Sequence, residues 1–132
     1  MSAVVDTSFL EALHNSREEK HGEAVALAKR MEKGEFGSLL LHEYVFDEAV
    51  TLAYSHGNKT GAIAIGDWLL SSKFEFVPSE NNLFSEAWQL FRKTSLFSFT
   101  DCTIAVLAKK RGAAVITFDK RFSTLPGLRV IN

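Results

Sequence analysis

The chain has 132 residues, 46% hydrophobic and 23% charged, which is the composition of a globular protein with a real core and excludes a disordered or fibrous one. Fifteen Lys and Arg stand against sixteen Asp and Glu, a formal net charge of −1. That balance excludes a generally basic nucleic-acid coat and an acidic solvating tail, but not a local site.

Taken in order, Ala3-Val4-Val5 is a short β-branched strand stopped by Asp6. Thr7 to His14 reads as a helix with Phe9, Leu10 and Leu13 on one face. A second helix runs from about Arg17 to Lys33, with Ala24, Leu27, Ala28 and Met31 at helical spacing, and ends at Gly34. Phe36 to Leu41 is a strand and Glu43 to Ser55 a helix. After the break His56-Gly57-Asn58 comes a helix over Thr60 to Ser71. Phe74 to Val77 is a strand stopped by Pro78, and Ser79 caps a helix running to about Lys93. Thr100 to Arg111 is a helix closed by Gly112, and Ala114 to Thr117 a strand. A short helical turn then leads to a last strand, Leu128 to Ile131. Strands alternating with helices predict one α/β domain over residues 1–132, a parallel sheet with helices on both faces. Short continuous apolar strands are those buried on both sides.

The start of the chain has only two valines before Asp6, too few for a secretory signal, and no apolar run approaches the roughly 18–20 residues that span a bilayer. Cys102 is the single cysteine, so no internal disulfide can form. A cytoplasmic protein without membrane association is expected. The four histidines show no zinc-ligand spacing.

The net charge hides an asymmetry: residues 1–50 sum to −5, residues 51–101 to −1 and residues 102–132 to +5. The basic end is either a solvated surface or a place to hold phosphates beside an acidic centre. In an open parallel sheet, ligands bind beyond the carboxyl ends of the strands. Asp6 follows the first strand and Asp119 the fourth, although each could be a helix N-cap. Glu48 interrupts the apolar stripe of Tyr44, Val45 and Leu52. Asp101 shares a face with Ile104, Ala105 and Ala108, near a possible cap at Ser98 or Thr100. Inward carboxylates are costly unless they are paired or bind a cation. Four converging on one sheet edge would raise one another's pKa values unless a cation lay between them. Hard ions with oxygen ligands, Mg²⁺ or Mn²⁺, suit such a set.

The segments Val-Val-Asp6-Thr-Ser-Phe-Leu, Tyr-Val-Phe-Asp-Glu48-Ala-Val-Thr-Leu, Ser98-Phe-Thr-Asp101-Cys-Thr-Ile-Ala-Val-Leu-Ala and Ile-Thr117-Phe-Asp119-Lys-Arg-Phe together resemble the PIN domain, and within it the VapC-type ribonuclease toxins. The resemblance runs from end to end of the chain. It implies a three-layer α/β/α fold with a five-stranded parallel sheet of order 3-2-1-4-5, and a Mg²⁺- or Mn²⁺-dependent endoribonuclease. A homodimer and a small inhibitory antitoxin are its implied partners. Carried over by position, Asp6, Glu48, Asp101 and Asp119 form an acidic quartet in which the three aspartates hold the metal directly or through water. Glu48 would then orient or deprotonate the attacking water. Thr7 or Ser8, with Thr117, would be supporting hydroxyls.

Glu43 and Asp47 crowd the same helix. Asp47 should project about 100° away from Glu48 and face outward, and Glu43 could cap the helix start. Lys120 and Arg121 are candidate RNA-phosphate contacts, with Arg92 and Lys93 behind them; exposed solubilising charge is the plain alternative. Phe97 and Phe99 are candidates for the site mouth. Most other aromatics, among them Phe9, Phe46, Trp68, Phe74, Phe76, Phe84, Trp88 and Phe91, read as core or dimer packing. Two other functions stay open at this stage: a housekeeping RNA-processing nuclease, and a PIN-like binding module with little catalysis. A phosphoacceptor receiver domain fits poorly, because Asp6 stands alone after Val4 and Val5 rather than in an acidic pair.

Overall fold

Ala3, Val4 and Val5 are all completely buried. Successive strand residues point to opposite faces, so this strand is covered on both sides. It forms the centre of a five-stranded sheet in a computed structural model of the chain, which describes residues 1–95 and 97–132. The elements are β1 (Ser2–Val5), α1 (Thr7–His14), α2 (His21–Glu32), β2 (Ser38–His42), α3 (Glu43–His56), α4 (Lys59–Leu69), β3 (Phe74–Val77), α5 (Asn81–Lys93), α6 (Phe99–Arg111), β4 (Ala114–Ile116), a 3-10 turn (Lys120–Thr124) and β5 (Val130–Ile131). The sheet order is β3-β2-β1-β4-β5, and every pairing is parallel. This is the expected three-layer α/β/α architecture and strand order.

The core is continuous across the layers. Phe9 from α1, Leu40 and Leu41 from β2, Ile104 and Leu107 from α6, Ile116 from β4 and Phe122 from the 3-10 turn are all at most 2% exposed. Each such side chain contributes on the order of 1.5–3 kcal/mol through burial. In α6 every residue from Cys102 to Ala108 is buried, as expected of a helix enclosed on nearly all sides. It ends at Gly112, whose φ of 59° lets the Ala113 N–H return to the Ala108 carbonyl at 2.8 Å. Among the described residues, no helix is long and apolar enough to cross a membrane.

Several boundaries differ from the sequence expectation, each for a local reason. The second helix begins at His21 rather than Arg17, because Asn15 Oδ1 accepts the Arg17 N–H at 3.0 Å and closes a turn there. The second strand begins at Ser38 rather than Phe36. Gly37 has φ 68°, and any Cβ on it would lie 1.9 Å from the Met1 carbonyl oxygen, so Phe36 enters the core from the preceding loop. The cap expected of Ser79 is absent: Glu80 holds the N-cap position of α5 without a side-chain capping bond, and the Ser79 N–H donates to Glu43 Oε1 instead. The last strand is only Val130–Ile131, and β4 stops at Ile116. The expectation of burial on both faces also fails at the edge strand β3, where Glu75 is exposed and pairs with Arg111 at 3.0 Å.

Candidate active site

The register of β1 against β4 aligns Val5 with Ile116, and one residue further on it places Asp6 beside Thr117. Both lie just past the carboxyl ends of central strands. Asp6 is 3% exposed and, despite its N-cap position, its side chain makes no capping bond to α1. Thr117 Oγ1 donates to Asp6 Oδ2 at 2.6 Å, and Ser8 Oγ donates to the same oxygen at 2.8 Å. The two hydroxyls are anchored from behind, since Thr117 Oγ1 accepts the Asp119 N–H at 2.9 Å and Ser8 Oγ accepts the Phe118 N–H at 3.1 Å. The two hydroxyl oxygens also stand 3.0 Å apart, so Ser8, Thr117 and Asp6 Oδ2 form one hydrogen-bonded cluster pinned by the two backbone N–H groups. Burial nonetheless pushes the Asp6 carboxyl up to about 6; the Thr117 and Ser8 bonds oppose that rise and the nearby Asp101 charge adds to it.

Asp101 and Asp119 approach the same place from α6 and from the loop after β4. Asp101 belongs to a capping box: its N–H donates to Ser98 Oγ at 3.1 Å, and its Oδ2 accepts the Ser98 N–H at 3.1 Å. Asp119 is the N-cap of the 3-10 turn, accepting the Arg121 N–H at 3.0 Å. The cap readings of Asp101 and Asp119 are therefore correct, yet they do not exhaust either carboxylate. The Arg121 guanidinium donates from Nε to both oxygens of Asp119, at 2.9 and 3.1 Å, and from Nη2 to Oδ2. The same Nη2 reaches Asp101 Oδ2 at 3.4 Å. These bonds hold the Asp119 carboxyl below the usual carboxylate range, and the same hydrogen bond to Asp119, followed by the charges of Asp119, Asp101 and Asp6, holds the guanidinium in its charged form.

Glu48 lies half-buried on α3, one turn beyond the half-buried Tyr44 and beside the buried Val45 and Ala49. Among the described residues no hydrogen bond or ion pair joins it to the three aspartates. Its two rivals have other positions. Asp47 is exposed, as its spacing predicted, and Glu43 accepts the Ser79 N–H at the start of α5 rather than capping its own helix. That cap is His42, a fully buried residue whose Nδ1 accepts the Tyr44 N–H at 3.1 Å. No sequence signal marked it, since histidine is not among the usual capping residues. Of Thr7 and Ser8, it is the Ser8 hydroxyl that bonds the Asp6 side chain. Thr7 Oγ1 is buried without a hydrogen-bond partner among the described residues, and Thr7 lines a groove of about 570 Å³ between α1, α3 and α4; Ser8 is the residue on Asp6.

Of the expected phosphate contacts, Arg121 faces inward onto carboxylates, Lys120 is exposed beside it, and Arg92 and Lys93 are exposed in the last turn of α5. Phe97 is buried and lies beneath Arg121, with its ring centroid 5.5 Å from the guanidinium carbon. Phe99 turns away into an aromatic group with Tyr44, Phe84, Trp88 and Phe91, at centroid distances of 5.4 to 6.2 Å.

The donor set is carboxylate and hydroxyl oxygen. Cys102, next to Asp101, has its thiol pushed up to about 11 by burial and stays protonated at neutral pH. Among the described residues, no three Asp, Glu, His or Cys side chains stand close enough to share one ion. Mg²⁺ typically takes one or two carboxylates and keeps several waters, so the oxygen set fits such an ion held partly through water.

The sequence profile of the PIN domain family matches residues 3–128. The chain belongs to the PIN domain family. Among curated proteins it is similar to the VapC ribonuclease of Archaeoglobus fulgidus, 23% identical over 126 residues that span 93% of this chain and 80% of that protein. Among solved structures it resembles the sarcin-ricin loop cleaving toxin VapC20 of Mycobacterium tuberculosis, with a TM-score of 0.81 and 27% identity over 92% of each chain. The DNA-bound VapBC of Salmonella typhimurium shares the PIN fold at a TM-score of 0.74 and 20% identity, over 99% of this chain and 97% of that one.

Proposed function

We propose that this PIN domain is a divalent-metal-dependent endoribonuclease, the toxin of a toxin–antitoxin pair. The observation that carries the reading is that Asp101 on α6 and Asp119 in the loop after β4 both reach the guanidinium of Arg121, at 3.4 and 2.5 Å, at the sheet edge where the buried Asp6 also ends its strand. An enclosure that already holds a cation among carboxylates suits Mg²⁺ or Mn²⁺, with the three aspartates as ligands directly or through water. When bound, such an ion would activate water and neutralise charge developing on a phosphodiester.

The chain's own residues do the remaining work. Ser8 and Thr117 fix the Asp6 carboxylate, and the Ser98 capping box fixes Asp101. Glu48, on the neighbouring helix, would orient the attacking water or take its proton. Lys120, and to a lesser extent Arg92, would meet the RNA backbone.

A small antitoxin protein is the proposed partner, in keeping with the similarity to VapBC complexes. A homodimer is supported by the aromatic face of α5, where Phe84 and Trp88 are each 46% exposed.

Incubating the purified chain with a labelled RNA containing a structured loop, with Mg²⁺, with Mn²⁺ and with a chelator, tests the activity. Cleavage should need the metal and disappear in Asp101→Asn. Metal-independent cleavage, or unchanged cleavage by Asp101→Asn, would refute the assignment.

A further inference from the structure

We propose that Arg121 is a resident counter-ion of the carboxylate centre, and that a divalent ion binds there only by displacing it. The inference rests on the metal-centre reading above and adds a competitor built into the chain itself.

The argument is one of available lone pairs. A carboxylate offers about four acceptor positions, two on each oxygen. Asp119 Oδ1 accepts the Arg121 backbone N–H and Nε, and Oδ2 accepts Nε and Nη2. Arg121 thus directs three N–H groups at Asp119, the Nε–H shared between its two oxygens so that both oxygens are engaged, and it also reaches Asp101 at 3.4 Å. A metal ion drawing on Asp119 needs those same positions, and two cations cannot share them.

The guanidinium is seated rather than merely nearby. Its carbon stands 5.5 Å from the centroid of the Phe97 ring, and Phe97 in turn packs on the fully buried Phe122 at 5.3 Å. Phe97 immediately precedes the Ser98–Asp101 capping box, so the stretch that supplies the seat also supplies one of the carboxylates. Half of the Arg121 side chain remains open to solvent, at 48%, and this gives it a route out. Once displaced it carries its charge to the rim of the site, where an anionic substrate would arrive.

Isothermal titration of the full chain with Mn²⁺ tests this. Arg121→Ala should bind Mn²⁺ roughly three- to tenfold more tightly than the natural chain, while melting at a lower temperature without metal. Arg121→Lys, which keeps the charge but loses the planar fork, should fall between them and guards against a folding defect in the alanine variant. A second measurement needs no variant: the Arg121 Nε–H resonance should shift on saturation with Mg²⁺. Equal or weaker Mn²⁺ binding by folded Arg121→Ala, or an Nε–H resonance unmoved at saturating Mg²⁺, would overturn the proposal and leave the metal centre standing. No Mn²⁺ binding by the natural chain or by either variant would overturn both.

Discussion

Thr117 donates its hydroxyl proton to Asp6 across 2.6 Å, although the two residues are 111 positions apart in the chain. The bond joins the end of the first strand to the end of the fourth. It does so with a group that is itself pinned by the Asp119 N–H, so one threonine controls the setting of two carboxylates.

Thr117→Val keeps the shape and removes the hydroxyl. It should raise the Asp6 carboxyl beyond about 6, since a bond favouring the charged form is lost. It also leaves the Asp119 N–H without its acceptor, a loss of about 1–3 kcal/mol. Carboxyl NMR titration and thermal unfolding check the two effects, and Thr117→Ser should restore both. An Asp6 titration unmoved in Thr117→Val would refute the role given to this hydroxyl.

Folding raises the Asp6 carboxyl from 3.8 to about 6, so in between the folded chain retains a proton that the unfolded chain has released. Stability of the metal-free protein from this group is therefore greatest at acid pH. It falls as pH climbs from about 4 to about 6, then levels off. Asp6→Asn removes the cost of the buried charge, on the order of 3 kcal/mol. It should melt several degrees above the natural chain at pH 7.5 and match it near pH 4, while losing RNA cleavage. Thermal unfolding across that pH range is the measurement.

The same titration bears on metal affinity. Protons compete with the ion for Asp6, so Mg²⁺ or Mn²⁺ binding should weaken by roughly tenfold between pH 7 and pH 5. Calorimetry at the two pH values checks it, and a flat profile would remove Asp6 from the ligand set.

Two glutamates on α3 should separate cleanly. Glu43→Gln weakens the tie between the start of α3 and the Ser79 N–H and should cost about 1 kcal/mol of stability, with metal binding and cleavage per folded molecule retained. Glu48→Gln should leave the melting temperature almost unchanged and reduce cleavage by about 100-fold or more. Reversed outcomes would exchange the two roles.

The alternation of apolar strands with helices was enough to locate Asp6 and Asp119, because a parallel sheet brings its strand ends to one edge. Ser98 and Asp101 were likewise readable as a possible cap, and Asp47 as outward-facing, from helical spacing alone. Ser8 could not be separated from Thr7 in this way. The two lie side by side at a helix start, and only the return of the fourth strand decides which hydroxyl meets Asp6. Arg121 was visible as a positive charge with no indication of direction. A flexible side chain two residues beyond an aspartate can face RNA or fold back, and the choice rests on Phe97, which arrives from another part of the chain. Phe36 belonged to the core as its apolar character required, but it extended the strand pattern too far, because its neighbour Gly37 lies against Met1.

The saturation of one oxygen of Asp6 also bears on which ion the centre would select. With Ser8 and Thr117 both directed at Oδ2, only Oδ1 is left to face an ion, and a two-oxygen grip is denied. Calcium favours wide, many-oxygen cages with bidentate carboxylates, whereas magnesium accepts single oxygens in a tight octahedron completed by water. Two hydroxyls that never touch the ion would thus discriminate between these cations by size and hydration.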